Sequence, residues 1–277
     1  MSLQIRKRGR PSKADLAARA KKPRVRSDID ILSDLKERFR ILSILTKGAL
    51  AKNVRSVVVT GAPGVGKTYT VENILSTSTN KHTIVRGTLS AINLYMLAYE
   101  HRTEGSVIVL DDADEIFQDL DAVNILKALC DSSNVRRVSY MKEAHQLKEN
   151  DVPQSFEFNG AMIFISNVDF QKFVDDGKNK FAPHMNALMS RSLYLDLQIH
   201  DRNSLGVWVE NLATEGKIFD IDNVSVSIRP RVLKFLKDNR EELRELSIRT
   251  LKKLNQLVNT QPDNWESMAR VLLLRHN

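Results

Sequence analysis

Gly61-Ala62-Pro63-Gly64-Val65-Gly66-Lys67-Thr68 is the stretch on which the fold turns. It fits G-x-x-x-x-G-K-[ST], the spacing of a loop whose backbone N–H groups wrap nucleotide phosphates. Upstream, the β-branched run Val57 to Thr60 reads as a buried strand. Downstream, Tyr69 to Leu75 reads as a helix whose N-terminus adds its dipole to the anion site. Gly61, Gly64 and Gly66 let the backbone turn tightly and approach a phosphate closely. Nucleotide binding is therefore assigned to Gly61, Ala62, Pro63, Gly64, Val65, Gly66, Lys67, Thr68 and Tyr69. Lys67 reaches the β- and γ-phosphates, and the Thr68 hydroxyl holds Mg²⁺. A chance glycine-rich turn would not bring strand, loop and helix into register.

Composition bounds the rest. A chain of 277 residues has room for one large or two small domains with a proper core. No apolar run is long enough to span a bilayer, and the basic N-terminus lacks the apolar segment of a secretory signal. Cys130 is the only cysteine, which rules out an internal disulfide and a cysteine-rich zinc site and points to a reducing, intracellular setting. Within its apolar helical run, it reads as a small core residue.

Charge is placed unevenly. Residues 1 to 26 carry ten Lys and Arg against one Asp, a count of +9 in a chain whose formal charge is +8, so the remainder sums to −1. The high pI belongs to a tail, and a tail so charged and so poor in apolar residues is expected to be disordered alone. Within it, Arg8-Gly9-Arg10-Pro11, flanked by Arg6, Lys7 and Lys13, resembles an AT-hook, which lies in the narrow minor groove of A·T-rich DNA. The physics suits that geometry, because a narrow groove concentrates negative potential and attracts arginine. A generic polybasic arm, or a nuclear-import signal around Lys21 to Arg26, explains the same residues. DNA contact is assigned to Arg6, Lys7, Arg8, Gly9, Arg10 and Pro11.

From Asp28, Leu32, Leu35, Phe39, Leu42 and Leu45 recur at helical spacing. Thr83 to Arg86 reads as a second strand, followed by a helix through Leu94 and Leu97. Ser106 to Leu110, then Asp111-Asp112-Ala113-Asp114, reads as a parallel strand delivering a carboxylate to its C-terminal edge, where ligands bind. Asp111 joins the Mg²⁺ shell, Asp112 polarises the attacking water, and Asp114 caps the helix from Glu115 onward.

These two motifs at this spacing resemble the AAA+ family of ring-forming ATPases. The resemblance implies an α/β fold: a P-loop AAA+ core with a parallel sheet in the order 5-1-4-3-2, plus a small C-terminal helical lid. The division it implies is a basic tail (1–27), a nucleotide-binding core (28–200) and a lid (201–277). Phe156 to Phe158, Asn159-Gly160 and Ala161 to Ile165 read as a hairpin with an Asn-Gly turn. The second arm ends in Ser166-Asn167, and Asn167 matches the sensor-1 position. Arg191, in Ser190-Arg191, is similar to the arginine finger of clamp-loader-like members, supplied in trans. After Asp201 the pattern is helical over about 201–215, 229–243, 247–259 and 263–275. Ser247 caps the third of these helices and puts Arg249 in its first turn, the sensor-2 position. Asp112, Asn167, Arg191 and Arg249 are thus the catalytic set, and ATP and Mg²⁺ the expected ligands.

One departure bears on rate. The acid after Asp111 is usually Glu in this family, and Asp112 is one methylene shorter. Glu115, a turn later, is a second candidate base. Ring unfoldases of the family carry an aromatic beside a glycine after the second strand, and Arg86-Gly87-Thr88-Leu89 has none, which disfavours protein unfolding. The insert Val135 to Phe158 holds Arg136, Arg137, Tyr140, Lys142, His145 and Lys148, with Arg137 to Met141 as one arm of a hairpin. Such inserts touch DNA in the DNA-handling branches, although a solvated loop has the same composition. The expected function is an oligomeric ATPase acting on DNA as motor or remodeller, in phage or plasmid replication or packaging. The alternative is an ATP-controlled switch or loader for a protein partner such as a replicative helicase. Partners are then DNA, further copies of the chain and a protein, with no membrane. The setting is the cytoplasm of a bacterial or phage-infected cell, or a nucleus if the host is eukaryotic.

Overall fold

The computed structural model describes residues 26–175, 181–199 and 201–275. The DNA-contact residues Arg6, Lys7, Arg8, Gly9, Arg10 and Pro11 lie outside the described residues. Five short runs become strands: the three central ones are buried along their whole length, as a parallel sheet covered by helices requires, and the two edge strands are only partly buried. The five are β1 (Ser56–Thr60), β2 (His82–Arg86), β3 (Val107–Asp111), β6 (Ala161–Ser166) and β7 (Leu193–Asp196). All their pairings are parallel, in the order β2-β3-β6-β1-β7. Numbering only these five, that is 5-1-4-3-2 read from the other edge, the order the AAA+ resemblance implies.

Strand alternation splits the core into two layers. Val58, Ile108, Leu110, Met162 and Phe164 face helices α3 (Ala91–Glu100), α4 (Leu120–Leu129) and α7 (Ala182–Arg191). Val57, Val59, Val107, Val109, Ile163 and Ile165 face α1 (Asp28–Leu50), α2 (Lys67–Leu75) and the first turns of α8 (Arg202–Glu215). Cys130 is buried in the first layer, and burial pushes its thiol up to about 12.

Beyond α8, a third apolar cluster is made by α9 (Ile218–Ile221), α10 (Arg229–Asp238), α11 (Ile248–Thr260) and α12 (Trp265–Leu273) around Phe235, Leu254 and the fully buried Trp265. Two expectations change here. Helix α9 begins from Lys217 in a left-handed conformation, and α10 stops at Asp238 rather than near 243. Asn239 turns its side-chain amide back onto the Phe235 carbonyl (2.7 Å). Leu243 then pairs in a β-bridge with Leu274 instead of extending the helix.

The expected Asn159-Gly160 hairpin does not form. Strand β5 (Ser155–Glu157) pairs antiparallel with β4 (Arg137–Ser139), while β6 goes into the parallel sheet. Neither Asn159 nor Gly160 has the positive φ that a two-residue type I′ turn requires. Gly160 serves a corner between two sheets, where an added Cβ would lie 2.5 Å from the His101 carbonyl oxygen. The remaining short helices are α5 (His145–Glu149), inside the β4–β5 connection, and α6 (Phe170–Asp175). Asp114 caps nothing: it opens a 3-10 turn (Asp114–Gln118), and Asp119 caps α4 by accepting from Asp121 N and Ala122 N.

Candidate nucleotide site

The loop between β1 and α2 lies at the C-terminal edge of the sheet. Gly64 takes φ +67 and Gly66 φ +105, values that favour glycine. At Gly64 the demand is also spatial, since a Cβ there would meet Ser247 Cβ at 2.8 Å. The helical lid rests directly on the loop. Ile248 N donates to Gly64 O (2.9 Å), and Trp208 Nε1 on α8 donates to Val65 O (2.8 Å). The Trp208 ring stacks on Phe39 of α1 at 4.5 Å between centroids, which fixes that indole between lid and core.

Lys67 opens α2 and is 5% exposed. Its ammonium donates to Gly61 O (2.8 Å), Ala62 O (2.9 Å) and Asn167 Oδ1 (2.8 Å). Burial pulls it down to about 8, and Arg249 pushes the same way, against the carboxylates of Asp112, Asp111 and Asp114. A desolvated cation held by three neutral acceptors is poised to exchange them for an anion.

Thr68 Oγ1 donates to both oxygens of Asp111 (2.9 and 3.1 Å). Asp111 Oδ2 also takes Arg86 Nε at 3.0 Å, and Arg86 makes a second, close ion pair with Glu72. Asp112 follows with φ +53, a left-handed turn that swings its carboxylate away from the strand. Asn167 Nδ2 donates to Asp112 Oδ1 at 2.6 Å, so the one amide spans Lys67 and Asp112. Beside them Asp114 is raised above the usual carboxylate range by burial and by Asp112, while the Ser166 hydroxyl and Lys67 oppose the shift.

From the lid, Ser247 Oγ accepts from Arg249 N (3.1 Å) and Thr250 N (3.4 Å), the cap expected from sequence. Arg249 and Lys252, three residues apart on one helical face, line a cleft of about 260 Å³ with Gly64, Lys67, Asp112 and Asn167. The structure therefore brings Lys67, Thr68, Asp111, Asp112, Asn167 and Arg249 to one mouth. Tyr69 also lines it, and Gly61 and Ala62 contribute the carbonyls on Lys67.

Arg191 is not there. Its carbonyl accepts from Ser56 Oγ (3.0 Å) at the start of β1, the opposite edge of the sheet from the loop. Its guanidinium donates to Ala187 O at 3.0 Å and stands 4.0 Å from Asp131. The sequence reading missed Arg86, Glu72 and Lys252. Only Lys252 carried a signal, its three-residue offset from Arg249.

The donors suit a small hard cation. A hydroxyl and a carboxylate in contact can supply oxygen ligands, and Mg²⁺ completes its shell with water and phosphate oxygens. Among the described residues no group of three or more His, Cys, Asp or Glu could hold a metal ion by itself. No helix among the described residues is long and apolar enough to cross a membrane.

The insert is less available than its composition implies. Arg137 pairs with Glu157 (3.4 Å), Lys142 pairs closely with Asp121, and His145 lies 3.1 Å from Glu149. Tyr140 packs on Tyr95, and Arg136 is buried.

No protein-family model matches the chain. Among solved structures it is similar to the RuvB Holliday junction branch migration motor of Thermotoga maritima, at 13% identity and a TM-score of 0.48, over 87% of this chain and 69% of that one. It is also similar to C. elegans PCH-2, at 13% identity and a TM-score of 0.34, over 83% and 63%. A sequence relative in Enterobacteria phage T4, an uncharacterized 36.7 kDa protein of the nrdC–mobD intergenic region, is 33% identical over 244 residues, covering 87% of this chain and 74% of the relative. The chain, a P-loop α/β core followed by a helical lid, belongs to the family of that phage T4 protein.

Proposed function

We propose that this protein binds and hydrolyses ATP as an oligomeric AAA+ ATPase that acts on DNA. The observation that carries the reading is the single Asn167 amide joining Lys67 to Asp112 at the mouth of the phosphate loop. Backbone N–H groups of the Gly61–Thr68 loop, Pro63 excepted, take the phosphates, and Lys67 trades its carbonyl acceptors for phosphate oxygens. Thr68 and Asp111 hold Mg²⁺, which neutralises phosphate charge when bound. Asp112 orients the attacking water, Asn167 sets water and γ-phosphate in register, and Arg249 covers the nucleotide from the lid. Arg191 serves a neighbouring chain. The functional division is then tail (1–27), core (28–200) and lid (201–277), working in the cytoplasm of a phage-infected cell.

One observation favours a slower device, an ATP-controlled switch or loader for a protein partner. Asp112 is one methylene shorter than the family's usual Glu, and it is tied to Asn167. Catalysis is sensitive to misplacement of about 1 Å.

The test is steady-state ATP hydrolysis at low salt, alone and with duplex or single-stranded DNA, with Lys67→Ala as the blank. Strong stimulation by DNA supports the motor. Retained ATP binding with a flat, near-zero rate moves the reading to the switch. No ATP binding at all sinks both.

A further inference from the structure

Among the described residues only two Lys or Arg side chains are buried, Lys67 and Arg136, each 5% exposed. Lys67 is accounted for by the phosphate loop. Arg136 lies at the other edge of the sheet, at the base of the β4–β5 hairpin. Its NH1 donates to Leu129 O (2.8 Å), its NH2 donates to Gly160 O (2.7 Å), and the guanidinium sits 5.0 Å from the Phe158 ring centroid. Among the described residues it has no carboxylate within ion-pair distance.

Arg55 shares this corner and has no carboxylate partner either. Its NH1 donates to Ser133 O (2.7 Å) and Ser132 O (3.3 Å). Both arginines line a polar cleft of about 190 Å³, with Asn134 and Asn159 at its rim. Lys52 and Glu104 also line it but neutralise each other at 3.0 Å. Asp131 lends Arg136 some opposing charge without a direct ion pair, so two cations, one of them desolvated, face the cleft with no carboxylate among the described residues bonded to either. Burial, followed by the charge of Arg55, pulls Arg136 down to about 10. Holding a cation in this way is costly unless an anion joins it. Backbone carbonyls satisfy only two of the five N–H donors of a guanidinium, and its planar fork matches a phosphate.

We propose that the Arg55–Arg136 cleft is a second anion site, which takes a phosphate group at the sheet edge opposite the ATP loop. That group comes either from free phosphate or from a nucleic-acid backbone. The site does not depend on the ATPase reading, since it shares no residue with the loop.

The experiment uses the full chain carrying Lys67→Ala, which weakens phosphate binding at the loop, and reads the cleft from the part of the response that depends on Arg55. Inorganic phosphate is titrated against sodium chloride of equal ionic strength while the thermal midpoint is followed, with and without the exposed Arg55→Gln change. Phosphate is expected to raise the midpoint by several degrees, and Arg55→Gln to remove at least half of that shift. Arg136→Lys, which keeps the charge but loses the fork, should weaken it too. No phosphate-specific shift, or a shift that Arg55→Gln leaves intact, overturns the site. Anisotropy with a short DNA duplex then separates the sources. If the backbone is the ligand, Arg55→Gln lowers the slope of log affinity against log salt by about 0.9, one phosphate contact. An unchanged slope beside a lost phosphate shift assigns the cleft to free phosphate.

Discussion

Replacing Lys67 with Met should make the protein more stable while destroying its nucleotide site. The ammonium falls from 10.5 to about 8 on folding. At about 1.4 kcal/mol per pKa unit, that is about 3 kcal/mol of penalty for keeping it charged in the fold. The folded chain binds this proton less tightly than the unfolded chain. Between pH 8 and 10.5 the unfolded state therefore holds more protons, and stability rises with pH. Below pH 8 the penalty is present in full. Met keeps the length and the apolar stem but has no charge to desolvate. Its loss of three hydrogen bonds is partly made good by water, because the acceptors border an open cleft. A net gain of about 1–3 kcal/mol is expected at pH 7. Urea unfolding at pH 7, 8, 9 and 10 reads it. The gap between Met variant and wild type should narrow by about 1.4 kcal/mol per pH unit above 8. Saturating Mg·ATP at pH 7 should reverse the order, adding about 2.7 kcal/mol to wild type at a hundredfold excess over Kd and nothing to the variant. A Met variant that is less stable at pH 7, with a gap flat to pH 10, would refute the reasoning.

Gly64→Ala forces an alanine to φ +67 and puts its Cβ 2.8 Å from Ser247. It should cost about 1–3 kcal/mol in urea unfolding and weaken ATP binding, and an unchanged value of both would show that lid and loop do not press on each other. Asp112→Glu restores the missing methylene and should raise turnover about tenfold or more, with ATP affinity unchanged; no rise would mean that reach does not limit the rate. Mixing Arg191→Ala chains with Lys67→Ala chains should rebuild active interfaces, so the mixture should exceed either variant in ATP hydrolysis. Deleting residues 1 to 26 should weaken duplex binding and flatten its salt dependence, as each lost phosphate contact removes about 0.9 from the slope.

Local signals made most of the candidate nucleotide cleft readable. The Gly61–Thr68 spacing, the apolar run ending in Asp111 and the polar residue closing β6 are each written in a few consecutive positions. A parallel sheet aligns such strand ends at one edge, so the short-range patterns meet in space. Arg86 and Trp208 were opaque for the opposite reason. Arg86 matters because β2 pairs with β3 in a register that sets it against Asp111, and Trp208 because it reaches Val65 across 143 residues of sequence. Asn159-Gly160 misled because the same dipeptide suits a hairpin or a corner, and only the partner of β5 decides. The basic insert was harder to read because composition does not show which cations already have acids. Glu157 lies across the β4–β5 ladder from Arg137, and Asp121 is on α4, remote in sequence from Lys142.

The two edges of the sheet divide the chemistry in a way that bears on assembly. Strand β1 runs five residues, four rises of about 3.3 Å or about 13 Å in all, from Ser56 beside Arg191 to Thr60 at the phosphate loop. That separation, and the turn of the Arg191 guanidinium toward Ala187 and Asp131, keep it from a nucleotide bound by its own chain. Lys67, Thr68, Asp111, Asp112, Asn167 and Arg249 all meet at the other edge, so one chain contains every proposed ATP group except the arginine. If Arg191 acts at all, it acts on a second copy. The lid then gains a mechanical meaning. Gly64 and Val65 in the loop are bonded to Ile248 and Trp208 of the lid, so a phosphate that shifts the loop must load the lid through two hydrogen bonds and a stacked ring. If a neighbouring chain brings its Arg191 to the cleft, that arginine completes the proposed set of ATP groups. The nucleotide would in that case report on the contact between copies as well as on the state of its own chain.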